Sequence, residues 1–139
     1  MNRKKIKKLL DDKNIRATKQ RIEILKVLSE NKIPLTAAEV NKLLLEKEIK
    51  IRLSTIYRNL NFFTDKNLTR KLNFITDEKK YELLAGQHHQ HLICTKCGEI
   101  LPIKCPLSDY EEKIQQETNY QIVRHDMELY GVCPDCQEN

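Results

Sequence analysis

The residues best placed to do chemistry are two CxxC pairs, Cys94-Thr95-Lys96-Cys97 and Cys133-Pro134-Asp135-Cys136. Each pair can close a tight turn with both sulfurs on one side, and two such turns supply the four corners of a closed zinc tetrahedron. A single CxxC would equally suit a disulfide or a thioredoxin-like redox centre; two pairs in a chain read as cytosolic favour structural zinc. A second group of ligands is His88-His89-Gln90-His91, running into Leu92-Ile93-Cys94. If this run is a strand, alternation puts His89 and His91 on one face and His88 and Gln90 on the other, so one short stretch can feed two sites. Glu82 is a carboxylate partner for the first. His125, with an acid from the helix after Pro106 (Asp109, Glu111 or Glu112), can complete the second. Mixed nitrogen and oxygen sites take zinc, ferrous iron or manganese, chosen by geometry and availability more than by ligand type. Cys105, the odd cysteine, can be a small buried residue, an extra ligand or a reactive thiol.

The elements that hold these groups follow from how charge is distributed. Residues 1–84 carry 21 Lys or Arg against 11 Asp or Glu, whereas residues 85–139 carry 4 against 9. All four histidines and all five cysteines lie in the acidic part. A basic part without soft ligands, joined to an acidic part that holds every one, implies a polyanion-binding domain over 1–84 and a metal-binding domain over 85–139.

Three helical patterns are read in the basic part. Thr18 caps a helix to about Asn31, with Ile22, Leu25 and Leu28 at helical spacing and Ile24 and Val27 widening the stripe. Thr36-Ala37-Ala38-Glu39 has the form of a capping box and opens a helix that buries Val40, Leu43 and Leu44. Ser54 caps a third, which buries Ile56, Leu60 and Phe63, leaves Thr55, Tyr57, Arg58 and Asn61 on more exposed faces, and carries Ser54, Thr55, Tyr57 and Arg58 at its N-terminal end. Extended segments follow at Leu68 to Ile75 and Lys79 to Leu84, joined by the turn Thr76-Asp77-Glu78. Three helices and a hairpin on a strongly basic segment make a winged helix-turn-helix whose third helix enters the major groove of double-stranded DNA. Arg58 can pair with guanine edges or phosphates, Tyr57 can pack on a thymine methyl, and hydroxyls reach phosphates.

The chain has 139 residues, 40% hydrophobic and 32% charged, with a formal net charge of +5. Its longest apolar runs, such as Leu43 to Leu45, are far short of the roughly 20 residues of a membrane span. Met1 to Lys8 is basic and leads into an amphipathic pattern instead of an apolar core with a cleavage site, so the expected location is the cytoplasm, with no membrane partner.

Taken together, Arg16-Ala17-Thr18-Lys19-Gln20-Arg21, Leu53-Ser54-Thr55-Ile56-Tyr57-Arg58-Asn59-Leu60, the run from His88 to Gly98, and Leu129-Tyr130-Gly131-Val132-Cys133 resemble the ferric uptake regulator family of metal-dependent repressors. The stretches stand in family order from about residue 10 to residue 136. The resemblance implies an α+β chain: an N-terminal winged helix-turn-helix, then a small α/β dimerisation domain with a four-cysteine zinc site. It further implies a homodimer that closes on an AT-rich inverted repeat when a regulatory metal binds, repressing genes of metal uptake or homeostasis, with no small-molecule substrate. Tyr57 and Arg58 would then meet DNA, Arg16 would approach the minor groove and Arg21 the phosphates.

Glu82, His89 and His91 match the family's regulatory site, for Zn(2+) or Fe(2+), with Mn(2+) a further candidate. Ile33 and Pro34 stand where many members supply another histidine. His88 and His125 match the second C-terminal site, where Gln90 replaces the usual Asp or His and Asp109 or Glu112 supplies the acid. The stretch from Cys97 to Pro106 resembles zinc sensors, Glu82 resembles iron sensors, and a peroxide-sensing member is an alternative. Rivals of another class are a zinc hydrolase with Glu82 as base and a metal-buffering protein; the hydrolase leaves the basic part unexplained.

Overall fold

A computed structural model describes residues 1–73, 78–84, 89–123, 125 and 127–138, apart from the side chains of 73, 89 and 108. The chain divides into two compact units, Met1–Gly86 and Gln87–Asn139.

The first unit contains four helices and a hairpin: α1 (Arg3–Asp12), α2 (Lys19–Glu30), α3 (Ala37–Glu46), α4 (Leu53–Asp65), β1 (Thr69–Asn73) and β2 (Lys79–Leu83). Two of the expected helix starts are built as their sequences require. Thr18 Oγ1 accepts from the Arg21 amide at 3.2 Å. Thr36 and Glu39 form the reciprocal capping box, at 3.1 and 2.9 Å, satisfying two amides that the helix itself leaves orphaned.

Two expectations are corrected here. Among the described residues of this unit there are four helices where three patterns were read: α1 buries only Ile6 and Leu10, one turn apart, between charged residues, and is capped by Asn2. The start of α4 also differs, since Arg52 is its N-cap, without a side-chain hydrogen bond, and Ser54 lies inside the first turn. Burial of Ile51 and Ile56 fixes where the chain turns into the helix, ahead of the serine hydroxyl.

Ile22, Leu25, Val40, Leu44, Ile56, Leu60 and Phe63 meet in one core with Ile6, Leu10 and Tyr81. Each such side chain contributes about 1.5–3 kcal/mol through the apolar surface it buries. The hairpin pairs antiparallel with Thr69 opposite Leu83 and Asn73 opposite Lys79. Leu35 and Tyr81 exchange backbone hydrogen bonds at 2.9 and 2.7 Å, adding the segment before α3 to the hairpin. The Tyr81 hydroxyl donates to Asn61 Oδ1 at 2.9 Å, so the wing is fastened to α4. Of the expected turn, Thr76 and Asp77 lie outside the described residues.

The second unit is a three-stranded sheet in the order β4-β3-β5, with β3 (His89–Cys94), β4 (Ile100–Lys104) and β5 (Glu128–Gly131). β4 runs antiparallel and β5 parallel to β3. Between β4 and β5 lies α5 (Ser108–Thr118), ended by Asn119 in the left-handed conformation, and α6 (Pro134–Gln137) follows β5. Among the described residues, no helix is long and apolar enough to cross a membrane.

Candidate metal centre and nucleic-acid interface

The four sulfurs of Cys94, Cys97, Cys133 and Cys136 lie within 4.8 Å of one another. Local structure explains the convergence. Cys94 ends β3 and Cys133 follows β5, and the parallel pairing of Cys94 with Gly131 brings the two chain segments side by side. Gly98, at φ 78°, lets the chain turn back directly after Cys97. The amides of Cys97 and Cys133 both donate to Cys94 Sγ, at 3.5 and 3.4 Å. These donors hold the Cys94 thiol down at about 6. The thiols crowded around Cys136, that of Cys133 first, push it up to about 12. Four sulfurs so close cannot all ionise without a cation among them. The cluster fits zinc in size as well, because a tetrahedron with zinc–sulfur bonds of about 2.3 Å has edges of about 3.8 Å, and Cys97 Sγ lies 3.8 Å from Cys133 Sγ.

A second cluster in the same unit joins residues from β3, the end of β4, α5 and the segment entering β5. Cys105 Sγ lies 2.9 Å from His125 Nε2. On the far side of the ring, Nδ1 meets Glu111 Oε1. Gln90 is fully buried; its carbonyl oxygen accepts from the Met127 amide at 3.2 Å and its NH2 points to Cys105 Sγ at 3.9 Å. Of the three acids weighed for this place, Glu111 is the one that reaches His125; Asp109 and Glu112 are exposed. Burial raises the Cys105 thiol, but the Leu107 amide, His125 and Gln90 together bring it below its ordinary value. Contact with Glu111 raises His125 above the usual histidine value, against the effect of burial. Sequence reading left Cys105 without a role, because a separation of 20 positions along the chain hides its contact with His125.

Of the residues matched to the regulatory site, Glu82 is buried in the first unit and His91 in the second. The Glu82 carboxylate receives Arg70 from the facing strand, with Nε 3.0 Å from Oε1. The side chain of His89 and all of His88 lie outside the described residues. Ile33 is exposed.

On α4, Ser54, Tyr57 and Arg58 are exposed, and Thr55 and Asn61 half-buried. Arg16 is exposed too. Arg21 is tied within the unit: its guanidinium donates to Asn59 Oδ1 at 3.2 Å and to the Arg16 carbonyl at 2.9 Å, and it stacks over Phe62 at 4.9 Å.

Residues 12–130 match the model of the ferric uptake regulator family. The chain belongs to that family. It is 37% identical over 130 residues to the ferric uptake regulation protein of Neisseria gonorrhoeae, across 92% of this chain and 90% of that one. Among solved structures it is similar to the ferric uptake regulator of Helicobacter pylori, described as having three functional metal binding sites. The TM-score is 0.77 at 26% identity, over 100% of this chain and 96% of that one. The fold is also that of the Pseudomonas aeruginosa ferric uptake regulator solved with manganese, with a TM-score of 0.82 at 24% identity over 93% and 98% of the two chains. As a member of the ferric uptake regulator family, the protein is a metal-binding transcription regulator and not an enzyme.

Proposed function

We propose that this regulator is a cytoplasmic repressor that binds AT-rich inverted-repeat operators as a homodimer when a regulatory metal is bound, controlling genes of metal uptake. The observation that carries the reading is the division of α4: Ile56, Leu60 and Phe63 are fully buried, while Ser54, Tyr57 and Arg58 stay exposed on the same helix. A helix anchored by one face and offering hydroxyl, phenol and guanidinium on the other suits entry into a major groove. Arg16, exposed ahead of α2, and Thr55 and Asn61 of α4 complete the proposed interface; Arg21 acts mainly by bracing α2 against α4.

Dimerisation is supported by the second unit, where Leu101, Tyr110, Leu129 and Tyr130 are all exposed. An apolar surface of that kind on a small unit is ordinarily covered by a partner. Cys94, Cys97, Cys133 and Cys136 hold structural zinc, which fixes the ends of β3 and β5 together.

Glu82, His89 and His91 are the regulatory ligands, a carboxylate and two imidazoles suited to a borderline divalent cation. The relatives are named for ferric uptake, which favours iron over zinc and manganese. Binding of the ion favours the DNA-competent form over the incompetent one. Metal availability then sets the fraction competent for DNA, since an ion can shift that equilibrium only by binding one arrangement better.

The test is fluorescence anisotropy of an AT-rich inverted-repeat duplex at moderate salt, with ferrous iron, zinc or manganese added to otherwise metal-depleted protein that retains its structural zinc. Affinity should rise at least tenfold with the regulatory ion, and the double variant His89→Ala, His91→Ala should lose the response. Equal affinity with and without every ion would overturn the reading.

A further inference from the structure

We infer that Arg21 is a positioning residue that holds Arg16 at a set distance from α4, so that the spacing between a minor-groove contact and the major-groove contacts of Tyr57 and Arg58 is built into the protein before it meets DNA. The inference rests on the proposed reading of α4 as the helix that enters the major groove, and adds to it where a preference for A·T pairs arises.

Arg16 stands between α1 and α2, outside any helix or strand, with its side chain exposed. Its carbonyl is nevertheless held by two donors, the Thr18 amide at 3.1 Å and Arg21 Nη1 at 2.9 Å. The same guanidinium donates through Nε to Asn59 Oδ1 at 3.2 Å and lies 4.9 Å from the centre of the Phe62 ring. Asn59 and Phe62 are one turn apart on α4. Arg21 therefore grips that helix at two points and the Arg16 main chain at a third.

Both ends of the bridge are themselves fixed. The Arg21 amide donates to Thr18 Oγ1 at 3.2 Å, which settles where the side chain leaves α2. Asn59 Nδ2 donates to the Thr55 carbonyl at 3.0 Å, which turns the amide oxygen toward Arg21. A planar guanidinium can meet two carbonyl oxygens along its edges and a ring on its face, whereas the ammonium of lysine is a compact point charge.

The consequence for DNA follows from groove geometry. An arginine carried beside a recognition helix can reach the adjacent minor groove, and the narrow minor groove of A·T-rich DNA attracts a guanidinium. Such a contact discriminates best when the side chain's anchor is already ordered, because ordering it on binding consumes affinity. Arg21 supplies that order, a different part from the phosphate contact that the resemblance implies.

Two duplexes separate the roles: the AT-rich inverted repeat, and the same repeat with every adenine replaced by 2,6-diaminopurine. The replacement adds an amino group in the minor groove and leaves the major-groove edge that of adenine. Wild-type protein carrying the cluster zinc and the regulatory ion should bind the second duplex at least about fivefold more weakly by anisotropy, and Arg16→Ala should erase the difference. Arg21→Lys, which keeps the charge, and Asn59→Ala, which keeps the arginine, should each shrink it to under about twofold by weakening the first duplex alone.

A phosphate contact by Arg21 predicts instead that Arg21→Lys keeps the full difference, and a purely structural brace predicts that both duplexes weaken together; either result overturns the inference. The bridge is also read without DNA. By NMR, the Arg21 Nε proton should exchange with water far more slowly than that of exposed Arg58, and fast exchange in the wild-type protein overturns the inference with no variant needed. Wild-type protein that binds both duplexes equally defeats this inference alone, whereas failure to bind either duplex with any ion defeats the repressor reading and this inference with it.

Discussion

Arg70 and Glu82 stand directly opposite each other across the β1–β2 ladder, and the arginine grips the carboxylate through both Nε and Nη2 on a single oxygen. Both side chains are largely shielded, at 16% and 10% exposure. A cation that takes Glu82 must compete with the guanidinium or share the carboxylate with it.

Arg70→Gln is therefore expected to tighten binding of the regulatory ion severalfold, measured by competition with a chelating indicator. The same change should cost the first unit about 1–3 kcal/mol, less than a fully buried pair because some water reaches both groups. Weaker metal binding would mean that Arg70 aims the carboxylate and does not restrain it.

Replacing Cys133 by Ser should remove the structural zinc, since three sulfurs are then left in a tetrahedron built for four. Elemental analysis should fall by about one zinc per chain. Thermal unfolding of the second unit should lose at least ~3 kcal/mol, because binding energy at such sites is folding energy.

Tyr57→Ala and Arg58→Ala should each weaken operator binding by about 1–3 kcal/mol, a loss of several-fold to over a hundredfold, if their groups meet base edges. Both residues are exposed, so thermal stability should move by no more than about 0.5 kcal/mol. Anisotropy and melting curves on the same samples separate the two effects.

His125 should titrate above the ordinary histidine value of 6.5, because Glu111 favours its charged form. A histidine raised in the folded state contributes stability that is fully present below pH 6.5 and is lost as pH rises through its own pKa. Imidazole proton shifts followed by NMR on protein carrying only the cluster zinc should show this midpoint. Glu111→Gln should move it down.

The elements whose identity depends on local chemistry were legible in the sequence. Thr18, the Thr36 and Glu39 pair, and the helical spacing of Ile56, Leu60 and Phe63 act within one or two turns of chain. The four cysteines were legible too, since each CxxC turn fixes its own sulfurs and zinc chemistry needs two turns. The start of α4 was misplaced because burial of Ile51 and Ile56 outweighs the capping preference of Ser54. Helix α1 was passed over because it offers only Ile6 and Leu10 among many charges. Choosing Glu111 over Asp109 and Glu112 requires the rotation of α5 against the sheet, and the contact of Cys105 with His125 requires the path of the chain between them. Neither is written into spacing.

The parallel pairing of β5 with β3 has a consequence for how the protein is made. Parallel neighbours need a long crossover, here the stretch through β4 and α5, and such non-local pairing closes late in folding. Until β5 arrives, one edge of β3 is an open row of amides and carbonyls, a template for neighbouring chains. On the proposed reading, zinc held by Cys94, Cys97, Cys133 and Cys136 would join the ends of both strands and end that exposure. A chain synthesised under zinc starvation would thus complete its basic unit yet remain prone to aggregate through the other, making zinc supply a checkpoint on how much of this regulator a cell can accumulate.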